Sequence, residues 1–259
     1  MQNLSKPEIF KRGIFLFPVL IFIILLASGS SWSSLIRKNK VEFKADDGIT
    51  ITADNYFTNK TSPYLILFHQ ERSSRGEYDS IVERFVKIGY NCLVVDLRSG
   101  DKYGFVENET SRNLSDDVRP ATVMESIKDV KASIEYAWNL NREKVILLGS
   151  ASSASLALLE GKNNDMVKAV IALSPGEYFQ PAVGMKSYLS GFPKKIFVGC
   201  STNELPFVEE MFSDTDPSNI TIFKPSYGTG ERGSAALLRG GSNRDEYWLS
   251  LLIFFNSIK

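Results

Sequence analysis

A series of short, unbroken apolar runs, separated by stretches of helical spacing, constrains this chain more than any other feature. The runs are YLILFH, NCLVVD, KVILLG, VKAVIALSP, KKIFVGC and NITIFK. A strand that is apolar at every position is buried on both faces, which calls for a parallel sheet covered by helices on each side. The intervening segments supply those helices. EYDSIVERFVKIGY carries Ile81, Phe85 and Ile88 at helical spacing and stops at Gly89. Ala121–Leu140 carries Val123, Ile127, Val130, Ile134 and Ala137, SSASLALLEG follows KVILLG, ELPFVEEMF is a short helix, and RDEYWLSLLIFFNSI closes the chain as an amphipathic helix. VEFKADDGITITADNYF differs, because its strands alternate around a DDG turn and read as an antiparallel hairpin. The expectation is an α/β domain of three layers: a mostly parallel sheet, an N-terminal antiparallel hairpin, and helices on both faces. Leu97–Pro120 has no clear periodicity and reads as a long loop.

At 259 residues the chain suits an N-terminal segment and linker over residues 1–40 and one globular domain over 41–259. Thirty basic and thirty acidic residues cancel, and no long basic run occurs, so nucleic acid is not an expected partner. Cys92 and Cys200 each end or interrupt an apolar run and read as buried free thiols. No Cys/His cluster has metal-ligand spacing, and neither metal nor cofactor is expected. There is one histidine, His69, which restricts the chemistry because histidine is the usual general base near neutral pH.

Lys6, Lys11 and Arg12 precede the uncharged run Gly13–Ile36, whose core is IFLFPVLIFIILLA. A basic start followed by an apolar stretch is an export signal. Ala27-Ser28-Gly29 is an acceptable cleavage site, yet the run through Ile36 is long enough to span a bilayer, with Trp32 placed as an interfacial aromatic. The expectation is an uncleaved membrane anchor holding an extracytoplasmic domain; the alternative is secretion after cleavage. Arg37, Lys38 and Lys40, just beyond the segment, weaken any argument about orientation from charge.

In a mostly parallel sheet, ligands bind beyond the carboxyl ends of the strands. KVILLGSASSASLALL is a strand, a tight turn of small residues, then a helix, the setting of a nucleophile elbow. With it come LILFHQERSSRGEYDSIVERFVKIGYNCLVVDLRSG, IALSPGEYF and YGTGERGSAALL, in that family's order and spacing. From about Val41 onward the chain resembles the α/β-hydrolase superfamily, in particular its dienelactone-hydrolase-like and small esterase branch. The resemblance implies where a triad would stand. Gly149 takes the first glycine of the elbow, Ala151 the nucleophile position and Ser153 the closing glycine. Asn203, with Glu204 beside it, falls where the acid is expected, and Arg232, before Gly233, where the histidine is expected. A methyl group cannot attack a carbonyl, and arginine stays protonated, so neither Ala151 nor Arg232 can do the work of the residue it replaces.

A site could be rebuilt from neighbours: Ser150 or Ser152 as nucleophile with His69 as base, making a weak or unusual ester hydrolase. Otherwise the domain is a non-catalytic homologue that uses its cleft for binding. His69, Gln70, Glu71, Ser152, Glu204 and Arg232 would then line the cleft, and a small anionic ligand or a protein partner would occupy it. A third reading is a purely structural partner of another envelope protein. Arg232 is expected near Ala151, either paired with Glu204 or Glu71, or left for an anionic ligand shared with backbone N–H groups near Gln70 and Ser152.

Overall fold

The computed structural model describes residues 36–119 and 121–259. Its strands are β1 (Arg37–Lys44), β2 (Thr50–Phe57), β3 (Tyr64–Phe68), β4 (Asn91–Val95), β5 (Lys102–Tyr103), β6 (Val106–Glu107), β7 (Val145–Ser150), β8 (Val167–Leu173), β9 (Lys195–Gly199) and β10 (Ile220–Phe223). Eight of them form one sheet in the order β1-β2-β4-β3-β7-β8-β9-β10, and β5 and β6 make a separate two-stranded hairpin. β2 is antiparallel to both β1 and β4, whereas β4, β3, β7, β8, β9 and β10 run parallel.

The alternation of side chains along each strand builds two cores. Ile66 and Phe68 of β3 and Leu147 of β7 face one layer, which holds Val130 and Ile134 of the helix Ile127–Asn141 and Leu156 and Ala157 of the helix Ser152–Asn163. Leu65, Leu67, Ile146 and Leu148 face the other, where Phe85 of the helix Val82–Lys87 meets Trp248, Leu251 and Phe255 of the helix Arg244–Ser257. Every one of these strand side chains is essentially buried. Burying each large aliphatic contributes about 1.5–3 kcal/mol. The three-layer α/β fold expected from the apolar runs is the observed one.

Details differ from the sequence reading. β1 begins at Arg37, taking in residues placed in the linker, because Arg37–Lys40 pair in register with Asp54–Phe57. The loop after Leu97 carries the β5–β6 hairpin and the short helix Glu109–Arg112, which the Asn108 side chain caps by accepting from the Ser111 N–H at 2.8 Å. The helix expected from Ala121 starts at Ile127, behind the 3-10 turn Met124–Ser126, and ends at Asn141 where Arg142 turns left-handed. The last helix is not cleanly amphipathic: Leu249 and Ile253 lie on its outer face and are exposed. Cys92 and Cys200 are buried free thiols, as expected. The anchor expected over Gly13–Ile36 lies, but for Ile36, outside the described residues. Among the described residues no helix is long and apolar enough to cross a membrane.

Candidate functional site

After β4 the chain crosses to the other side of β3 to form β7, so the sheet order reverses between β3 and β7. Such a switch opens a crevice at the carboxyl ends of the two strands. Here Phe68 pairs with Gly149, which brings His69 and Gln70 beside the turn at Ala151.

That turn has the geometry of a nucleophile elbow. Ala151 sits at φ 51°, ψ −114°, between β7 and the helix Ser152–Asn163. This backbone region is unfavourable for any residue with a side chain and persists only where its surroundings impose it. The surroundings are visible. A β-carbon on Gly149 would lie 2.3 Å from the Ser153 carbonyl oxygen, so only glycine lets strand and helix approach this closely. The Ser153 hydroxyl donates to the Phe68 carbonyl at 2.7 Å and accepts the Ser150 N–H at 2.9 Å. Serine at the position of the closing glycine thus stitches the elbow to β3. The elbow is kept, and a methyl group stands at its apex, only 4% exposed.

The loop expected to carry the acid brings a different side chain to Arg232. Asn203 is an exposed turn residue, and the carboxylate that this loop presents to Arg232 is that of Glu204. Its Oε2 accepts hydrogen bonds from the Ser174 hydroxyl (2.9 Å), the Ser201 hydroxyl (2.8 Å) and the Ser201 N–H (3.0 Å). Its Oε1 stands 3.2 Å from Nε of Arg232, and Nη2 of Arg232 donates to the Tyr178 hydroxyl at 2.7 Å. The pairing with Glu204, rather than with Glu71, is the one formed. Arg232 remains on the rim, its side chain 59% exposed, and the phenol oxygen of Tyr178 followed by the Glu204 carboxylate raise its pKa further. The next residue packs on the elbow: Gly233 donates its N–H to the Ser174 hydroxyl (2.8 Å), and Ser234 donates to the Ser150 hydroxyl (3.0 Å). Ser174 therefore joins the acid loop to the loop after β10. Its place at the end of β8 is the signal from which the sequence could have singled it out.

The rebuilt serine site is not assembled. His69 is fully buried, its Nε2 accepts the Leu97 N–H at 2.9 Å, and its Nδ1 lies 2.7 Å from the Gln70 carbonyl. An Nε2 that accepts fixes the proton on Nδ1, so both ring nitrogens are spent on the backbone. Burial pushes the imidazole pKa below its ordinary value, holding the ring neutral. Ser150 Oγ is engaged by Ser234, and Ser152 Oγ accepts the Glu71 N–H at 3.2 Å. Of the backbone donors expected to hold an anion, the Gln70 N–H is occupied, since it donates to the buried Glu77 carboxylate at 3.1 Å. His69, Gln70, Glu71 and Ser152 are brought together around the elbow, where the His69 ring is tied to the backbone of Leu97 and Gln70 and the Ser152 hydroxyl to the Glu71 N–H, while Glu71 itself is exposed. Among the described residues no group of His, Cys, Asp and Glu could hold a metal ion.

A sheet of this order with a strained elbow between β7 and its helix defines the α/β-hydrolase fold, and the chain has that fold. Among solved structures it is similar to a dienelactone hydrolase of Klebsiella pneumoniae described as putative (TM-score 0.63, 12% identity, 85% of this chain and 98% of that one). It is also similar to the Pyrococcus furiosus esterase Pf2001 (TM-score 0.60, 17% identity, 85% of this chain and 89% of that one). A curated relative, the quorum-quenching protein AidA of Acinetobacter baumannii, is 26% identical over 200 residues, or 73% of this chain. The match spans 61% of that relative's length. No protein-family model matches the sequence.

Proposed function

We propose that this protein is a non-catalytic α/β-hydrolase homologue that acts by binding, held at the cell envelope by its N-terminal segment. Ala151 carries the reading: an elbow is maintained at the cost of backbone strain while its apex has no nucleophile. The Arg232–Glu204 pair, with no histidine in that loop, and the spent nitrogens of His69 support it. Loss of a triad member commonly lowers kcat by about four to six orders of magnitude. Purified protein should therefore turn over p-nitrophenyl acetate no faster than a control protein of matched surface, and a fluorophosphonate probe should leave it unlabelled. Saturable turnover that disappears in Ser152→Ala or His69→Ala would replace this reading with the hydrolase one.

The envelope location is supported by Lys6, Lys11 and Arg12 ahead of the apolar run. A retained anchor keeps the chain in the membrane fraction through a carbonate wash with Met1 intact; a soluble product beginning near Ser30 would mean a cleaved signal. A second reading, a quorum-quenching role, is favoured only by the 26% identity to the Acinetobacter protein of that description. Incubating a bacterial quorum signal with the purified protein tests it, and an undiminished signal would remove it.

A further inference from the structure

The elbow is closed, but a cavity of about 460 Å³ opens beside it, between residues 175–186 and the helix Leu205–Met211. That volume is in the range of small-molecule sites. Its apolar wall is made by Pro175, Tyr178, Phe207, Val208 and Met211. Phe207 is 76% exposed, an unusual position for a phenylalanine that serves only packing.

The charged groups around the cavity are already committed. Glu177 accepts the N–H groups of Met185 (2.8 Å) and Lys186 (3.2 Å), and Lys186 spans to Glu210 on the opposite wall at 2.5 Å. Glu204 is held by Ser174, Ser201 and Arg232. Counting Arg232 with the lining residues gives three carboxylates against two cations, so a further anion meets net repulsion. A cation finds no carboxylate without a partner. What remains for a ligand is apolar surface and one set of donors: Nη1 of Arg232 makes no hydrogen bond among the described residues, while the rest of its guanidinium is fixed on Glu204 and Tyr178, both of which line the cavity.

We infer that this cavity binds an uncharged small molecule with an apolar body and a carbonyl-type acceptor, the body against Tyr178, Phe207 and Met211 and the acceptor toward Arg232. The inference rests on the binding reading above and replaces the anionic ligand expected from the sequence with a neutral one.

Met211 lies in the wall and provides the probe. The full-length chain, in lipid nanodiscs and labelled with ¹³C at its methionine methyl groups, is titrated with ethyl hexanoate, hexanoate and hexylammonium. The ester should move the Met211 signal saturably, with hexanoate and hexylammonium each at least about tenfold weaker, a difference of about 1.4 kcal/mol. Phe207→Ser should weaken the ester severalfold without lowering the unfolding midpoint, because Phe207 is exposed. Arg232→Gln should narrow the preference for ethyl hexanoate over ethyl hexyl ether, an ether of equal length titrated as a fourth ligand. Tightest binding by either charged probe, or a Met211 signal indifferent to all three, overturns the assignment and leaves the non-catalytic reading standing. Hydrolysis of the bound ester during the titration would do the reverse.

Discussion

The hydroxyl oxygen of Ser150 lies 2.6 Å from the point that a β-carbon on Gly233 would occupy. The loop after β10 thus rests directly on the strand that carries the elbow, and Gly233, at φ 60°, is the only residue type that permits it. Gly233→Ala should combine left-handed strain of about 1–2 kcal/mol with an overlap that displaces Ser150, for a total of about 2–4 kcal/mol. Gly48, at φ 84° with open space around it, is the control, and Gly48→Ala should show the strain alone. Urea midpoints of the two variants decide it, equal losses meaning that the contact with Ser150 carries no weight.

Strain at Ala151 can be read by removing its side chain. Ala157 is fully buried in the same helix, and Ala157→Gly should lower stability by about 2 kcal/mol from helix propensity and a lost methyl. Ala151→Gly loses a methyl as well but relieves backbone strain of about 1–3 kcal/mol, so it should stay within about 1 kcal/mol of the parent. Chemical denaturation of both variants measures the contrast. Equal costs would mean an unstrained elbow.

On the non-catalytic reading proposed above, Ala151→Ser alone should leave turnover at background, as should Arg232→His alone. The double variant should react with a fluorophosphonate, because Glu204 already stands 3.2 Å from the residue that would become the base and can orient an imidazole there. Intact-mass spectrometry reads the adduct. A double variant as inert as the singles would show that the loop does not deliver position 232 to the elbow.

His69 gives a pH dependence with a definite sign. Its folded pKa lies below the ordinary value of 6.5, so below about that pH the unfolded chain takes up a proton that the folded one refuses. Stability contributed by His69 is present above pH 6.5 and is lost as pH falls, at up to about 1.4 kcal/mol per pH unit. His69→Asn lacks this dependence, so the stability gap between parent and variant should narrow between pH 7.5 and 5.5. Asp129, whose burial raises its carboxyl to about 6, acts in the opposite direction but cancels in the comparison. A gap that is constant over this range would place the imidazole in contact with water.

The sheet was legible because its strands are apolar at every position and nothing but a two-faced burial accounts for YLILFH or KVILLG. The elbow was legible for the same reason, since a strand running into small residues and then a helix admits few geometries. Asn203 against Glu204 was not, because one residue of turn geometry decides which side chain faces Arg232 and the sequence carries no period there. Ser174 and Tyr178 were missed because hydroxyls act through partners brought from β9 and β10. The proposal of an uncharged ligand depends on which partner each carboxylate has in space, and that is not written in the sequence.

β1 forms the outer edge of the sheet, and its first residues, Arg37, Lys38 and Lys40, are exposed there. An open edge is a template for a strand from another copy, and a row of cations on it makes that approach repulsive. Lys38 and Lys40 reach back to Asp54 and Glu109, so their charge is held in place rather than left to wander. Among the described residues no strand pairs with the outer side of β1, and a strand approaching there would meet these anchored side chains before it met unpaired backbone.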